Sequence, residues 1–182
     1  MTVFLDLVGS FIVRASLIAI MLGLTVTMND TLYQSTQAAN AKGFVAVVDS
    51  IIYADVNMAG YNVTGTAFQN ADTSDIQFLA DINGGGIPET VRYYATAVSG
   101  DTLFKLFRYV NNVNSGNPIL LGTIRGVKFQ YYGSDGVVIA DPDSHLDGIR
   151  QVQVTIVGWV ENVTDGYSTI TSEFKIYPPN LL

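Results

Sequence analysis

The 182 residues suffice for one ordinary domain plus an appendage, and 48% hydrophobic against 14% charged residues describes a chain with a core rather than a disordered one. Nine Lys and Arg against 16 Asp and Glu leave a net charge of −7, which argues against nucleic acid as a partner and, more weakly, against an anionic membrane surface. The absence of cysteine removes disulfides, thiolate zinc sites and thiol catalysis.

Residues 3–28 read VFLDLVGSFIVRASLIAIMLGLTVTM, long and apolar enough for a bilayer core of about 30 Å. Asp6 and Arg14 interrupt the run. A cleaved signal peptide fits poorly. Residues 1–13 hold no Lys or Arg, and the nearest Ala-x-Ala site, Ala39-Asn40-Ala41, lies far beyond the apolar stretch. A plain membrane anchor leaves the two charges without a purpose. A helix that packs among copies of itself uses both the charges and the small residues Gly9, Ser10, Ala15, Ser16, Ala19 and Gly23, which let helix backbones approach. Asp6 and Arg14 are eight residues apart, about 12 Å along a helix, too far to pair within it. They suit a pair between parallel helices staggered by that distance; alternatively, Asp6 meets the N-terminal amine of a neighbour.

Beyond Met28 the pattern stays helical. Leu32, Thr36, Ala39, Phe44, Val47, Val48, Ile51, Ile52, Asp55 and Met58 follow mostly three- and four-residue steps, and no proline precedes Pro88. One helix is therefore predicted from about Val3 to Ala59, with an interruption near Gly43 and Gly60 as its C-terminal cap. Residues 1–28 form its all-apolar half and 29–60 an amphipathic half that lies on a sheet. Residues 61–182 form the head.

From Tyr61 onward the period becomes two. Strands are predicted at 75–81, 89–96, 103–110, 124–132, 148–160 and 168–177, with a hairpin turn over Ile82–Gly86 and a loop over Asn111–Pro118. Pro178-Pro179 ends the last strand. One long helix followed by five to seven antiparallel strands is an α+β pattern.

This order of parts resembles type IV pilins and the pseudopilins of type II secretion. The local likeness lies in Ser74-Asp-Ile-Gln-Phe-Leu-Ala-Asp-Ile-Asn83, in Glu89-Thr-Val-Arg-Tyr-Tyr94 and in Gly148-Ile-Arg-Gln-Val-Gln-Val-Thr-Ile156. Asp6 stands roughly where that family carries its acidic residue near the mature N-terminus. The usual Gly-Phe-Thr-Leu-Ile-Glu processing motif is missing, and Arg14 has no counterpart in the family's apolar segment. The resemblance implies a subunit held in the inner membrane before assembly and in an extracellular, homopolymeric filament afterwards. The helix-packing reading places assembly on Asp6, Arg14, Gly9, Ala15, Ala19 and Gly23, and no enzymatic activity is expected.

Candidate chemistry is sparse. Asp141-Pro-Asp143-Ser-His145-Leu-Asp147 gathers three carboxylates and the sole histidine; it reads first as a solvated turn and second as a calcium site through Asp141, Asp143 and Asp147. Asp81-x-Asn83-x-Gly85 with Glu89 resembles the start of a calcium loop but lacks its third acidic ligand, so a glycine-rich turn is expected. Asn29-Asp-Thr31, Asn62-Val-Thr64 and Asn162-Val-Thr164 fit the N-glycosylation triplet. No Gly-x-Ser-x-Gly elbow and no second histidine supports a hydrolase triad. The expectation is a structural filament subunit without cofactor. The alternatives are a membrane-tethered monomeric binding head and a minor pseudopilin of a secretion system.

Overall fold

A computed structural model describes residues 2–111, 116–162 and 166–181 of the chain. The centre of the predicted 111–118 loop and the end of the Asn162 triplet lie outside the described residues.

The first element, α1, is one helix over Thr2–Asn57, 56 residues and thus about 84 Å long. It runs through Gly43 without a break. A single helical glycine costs only about 1 kcal/mol, too little to stop a helix whose C-terminal turns are held by packing. Hydroxyls along the apolar half are satisfied by the helix itself. Ser16, Thr25, Thr27 and Thr31 each donate to the carbonyl four residues earlier, at 2.8, 2.9, 3.0 and 2.8 Å. The chain then turns over at Met58–Gly60, where Gly60 takes φ +82° and its N–H donates to the Leu79 carbonyl.

Burial divides α1 in two. Among the described residues from Phe4 to Met28 the large apolar side chains are exposed, Phe11 at 74% and Met21 at 67%. From Val45 onward the stripe Val45, Val48, Ile52 and Val56 is buried at 3% or less. Two glycines receive the helix where it enters the head. A side chain at Gly158 would bring its Cβ within 2.7 Å of Val45, and one at Gly122 would collide with the Phe44 ring.

Among the described residues the head holds eight strands in two antiparallel sheets, more strands than predicted and split into two sheets rather than one. The first sheet is a meander in chain order: β1 (Phe68–Ala71), β2 (Asp75–Ala80), β3 (Glu89–Ala97), β4 (Phe104–Val110) and β5 (Ile119–Ile124). The second has the order β6 (Gly126–Tyr132), β7 (Gln151–Asn162), β8 (Gly166–Ile176). Arg125 alone links β5 to β6, and its N–H donates to the Val157 carbonyl of β7 at 2.7 Å. Alternation sets the inner faces: Ile76, Phe78 and Ala80 on β2, and Val152, Val154 and Ile156 on β7, are buried. Phe68, Phe78 and Tyr131 join the two sheets, with ring centroids 6.1 and 6.4 Å apart.

Two outer edges are covered by the chain's own segments. Ala71 of β1 donates to the Asp143 carboxylate at 2.7 Å, from a 3-10 turn over Asp143–Gly148. Phe129 of β6 donates to the Thr73 carbonyl at 2.8 Å, and Ile139 donates to Tyr131 at 2.9 Å. Such covers keep strand edges from pairing with other chains.

Candidate assembly interface

The exposed part of α1 is an arm that leaves the head near Phe44. Asp6, Gly9, Arg14, Ala15, Ala19 and Gly23 all lie on it and all are exposed. At about 100° per residue, Gly9, Ser16 and Gly23 fall within about 40° of one another, with Ala19 beside them. Arg14 projects from nearly the opposite side, and Asp6 and Ala15 lie on the flanks between. Nothing lies within 4 Å of the side-chain positions of Gly9 and Gly23. Neither Asp6 nor Arg14 makes an ion pair within the chain among the described residues.

At the arm's root, polar contacts lock the helix to both sheets. Asp55 is buried on the apolar stripe of α1 and receives Arg108 of β4 through two bonds, Nε to Oδ2 at 2.6 Å and a terminal nitrogen to Oδ1 at 3.1 Å. The Tyr93 hydroxyl of β3 donates to the same carboxylate. Burial pushes the Tyr93 phenol well above its ordinary pKa, and the Asp55 charge adds to this. Asp55 was legible only as a stripe position; its pairing with Arg108 and Tyr93 had no signature of its own. The available signal was one carboxylate among Val48, Ile51, Ile52 and Val56, which demands a cation on the facing sheet.

Asp49, two turns earlier and within the head, accepts a bond from Ser172 Oγ of β8 at 2.5 Å, while its Oδ1 is shielded from solvent and has no donor. Burial raises its pKa and the Ser172 hydroxyl opposes that rise. A groove of about 380 Å³ runs beside it, lined by Ala46, Asp49, Ser50, Tyr53, Ser172 and Phe174.

The remaining candidates are structural in their contacts. Asp143 is engaged by Ala71, the Asp141 carbonyl lies 3.0 Å from His145 Nδ1, and the Asp147 carbonyl accepts from Arg150. Among the described residues no three Asp, Glu or His side chains gather in a metal-holding arrangement. In the Ile82–Gly86 turn, Asp81 accepts from Asn62 Nδ2 at 2.7 Å and from the Gly86 N–H at 2.8 Å, while Glu89 accepts from the Ile82 N–H and the Asn83 amide. The Asn62 bond, and then the backbone N–H groups of Gly84 to Gly86, hold the Asp81 carboxyl below its ordinary pKa despite its burial. These carboxylates fasten a glycine turn; Gly84 and Gly86 sit at φ +70° and +79°. Asn62 of the second glycosylation triplet is likewise occupied by Asp81, whereas Asn29 lies exposed on the arm.

One helix is thus long and apolar enough to cross a membrane, and it carries an α+β head of antiparallel sheets. In comparison with known proteins, no family model, no curated protein and no solved structure matches the chain.

Proposed function

We propose that the chain is the structural subunit of a pilin-like helical filament, held in a membrane by its arm before assembly and carrying its head outside the fibre afterwards. The observation that carries this reading is the arm. About 35 residues of helix stand free of the head, and their large apolar side chains are more than half exposed at Phe4, Leu7, Phe11, Leu17, Met21 and Leu24. An apolar surface of that extent on a folded chain marks an interface.

A simple anchor needs about 20 apolar residues and accounts for 3–28. It leaves residues 29–36 as a polar helix in water, ahead of Gln37, Asn40 and Ala41, which line a groove with Thr123, Trp159 and Val160 of the head. That segment holds only Asp30 as a charge, so no oppositely charged pair four residues apart steadies it. Isolated helices of such length are marginal. Neighbouring arms supply the missing contacts along its whole length. The exchange from lipid to fibre is feasible because both environments are apolar, and packing and charge pairing then decide between them. The self-satisfied hydroxyls of Ser16, Thr25 and Thr27 suit either environment.

Electron micrographs of the purified chain, transferred out of detergent, test the proposal. Fibres with residues 3–28 resistant to protease are expected. A chain that stays monodisperse and fibre-free under all such conditions is a tethered head instead.

A further inference from the structure

The outer strands of a sheet present backbone groups that need partners. Strands β1 and β6 find theirs in other segments of the chain, as described above. Strand β8 is the third such edge, and the direction of its backbone groups follows from β6. The Phe129 N–H donates to Thr73 and the Tyr131 carbonyl accepts from Ile139, so both groups turn away from β7. Their β7 partners Val154 and Val152 therefore turn to β8, where they stand opposite Phe174 and Ile176. The alternate residues Thr171, Glu173 and Lys175 aim their N–H and C=O groups outward. All three are exposed, and among the described residues no backbone bond from elsewhere in the chain reaches them.

Charged side chains commonly guard a free edge. Here they lean back over the sheet instead. Glu173 accepts from the Gln153 amide of β7 at 2.6 Å, and the Lys175 ammonium lies 4.0 Å from the centre of the Tyr132 ring on β6. The edge backbone is left bare. Beside it, on the face toward α1, runs the groove of about 380 Å³ lined by Ala46, Ser50, Tyr53 and Phe174. Phe174 is half-buried, Tyr53 is 49% exposed, and their ring centroids are 6.3 Å apart. A bare backbone ladder flanked by an apolar groove accepts an added strand.

We propose that this strand is β8 of a second copy, paired antiparallel about a two-fold axis at Phe174, so that two three-stranded sheets become one of six strands. The charges select both the occupant and the register. Centred on Phe174, the pairing sets Glu173 of each copy opposite Lys175 of the other. Moving the centre by one residue either way sets Glu173 against Glu173 or Lys175 against Lys175, which is unfavourable. On the α1 face the two Phe174 side chains meet across the axis, and each closes the mouth of the other's groove. A two-fold contact of this kind closes on itself and stops at the dimer.

Helix α1 runs in the same direction as β8, since Asp49 meets Ser172 and Tyr53 meets Phe174. The pairing therefore sends the two arms opposite ways and joins copies whose arms belong to separate assemblies. It lies wholly within the head and does not rest on the filament reading.

The chain has no cysteine, so engineered ones report cleanly. Phe174→Cys puts one thiol per chain at the axis, with Cα atoms about 4.5 Å apart, within disulfide reach. Thr169→Cys, on the same strand, stands about 33 Å from its mate across the axis. Oxidation of the full-length chain in detergent is expected to give a covalent dimer from Phe174→Cys and none from Thr169→Cys. A folded Phe174→Cys chain that stays monomeric, or equal dimer from both variants, overturns the proposal. Should Phe174→Cys fail to fold by circular dichroism, charge exchange decides. Sedimentation of the full-length chain in detergent is expected to show Glu173→Lys and Lys175→Glu each raising the dimer dissociation constant about tenfold, and the two together restoring it. A wild-type chain without dimer, single variants that dimerise normally, or a folded double variant that stays impaired overturns it.

Discussion

At the scale of single residues, the pair Asp55–Arg108 governs how the helix is held. Their side chains are 11% and 17% exposed, so removing one partner strands the other in a largely dry site. Arg108→Met is expected to lower the unfolding free energy by about 3 kcal/mol, near the lower end for a buried pair because some solvent remains. Urea denaturation followed by Trp159 fluorescence measures it. Replacing both partners, Asp55→Leu with Arg108→Met, is expected to recover most of the loss. The phenols nearby predict a pH response. Burial first, then neighbouring carboxylates, raise the pKa of Tyr93 and Tyr131 above the ordinary value of 10.0. Below that value the phenol is neutral in both folded and unfolded chains, so pH has no leverage through these groups. Above it only the unfolded chain releases the protons, so stability falls as pH rises past about 10. In an absorbance titration of the ten tyrosines, two are expected to ionise only on unfolding.

At the scale of elements, the seat of α1 on β5 and β7 depends on Gly122 and Gly158. Gly158→Val would overlap Val45 and is expected to cost about 2 kcal/mol or more through overpacking, read as a lower thermal midpoint in detergent. Neither glycine announced this role in the sequence, because only the folded approach of Phe44 and Val45 defines it. Much else was legible there. Asp75–Ala80, Glu89–Tyr93 and Gln151–Val160 alternate cleanly because one face of each is buried and the other is wetter. Strand β1 has only four residues, too few for a period to register. Strand β5 passes into β6 with only Arg125 between them, and Gly122 interrupts its alternation, so Ile119–Ile124 does not register as a separate strand. The break expected at Gly43 fails for the opposite reason, since local propensity yielded to packing beyond it. The proposed interface residues Asp6, Gly9, Arg14, Ala15, Ala19 and Gly23 came from the sequence, whereas the unmatched oxygen of Asp49 emerged only from the fold.

At the scale of the whole molecule, arm and head are expected to separate in experiment. Asp6→Ala should impair assembly while leaving the head's circular dichroism unchanged, because Asp6 lies about 57 Å along the helix from Phe44. Normal fibres from that variant would remove Asp6 from the interface. A chain beginning near Met28 is expected to be soluble and β-rich, since the described core draws only on Phe44 and later residues of α1. An insoluble or mainly helical product contradicts the division.

The helix that passes from arm to head has no hinge: no proline, no kink, and an unbroken ladder through Gly43. In a fibre, each head would then be the rigid end of its own spoke. Twist or tension applied at the outer surface would travel undamped to the central bundle. Bending of such a fibre would come from copies slipping past one another rather than from heads swivelling on their stalks.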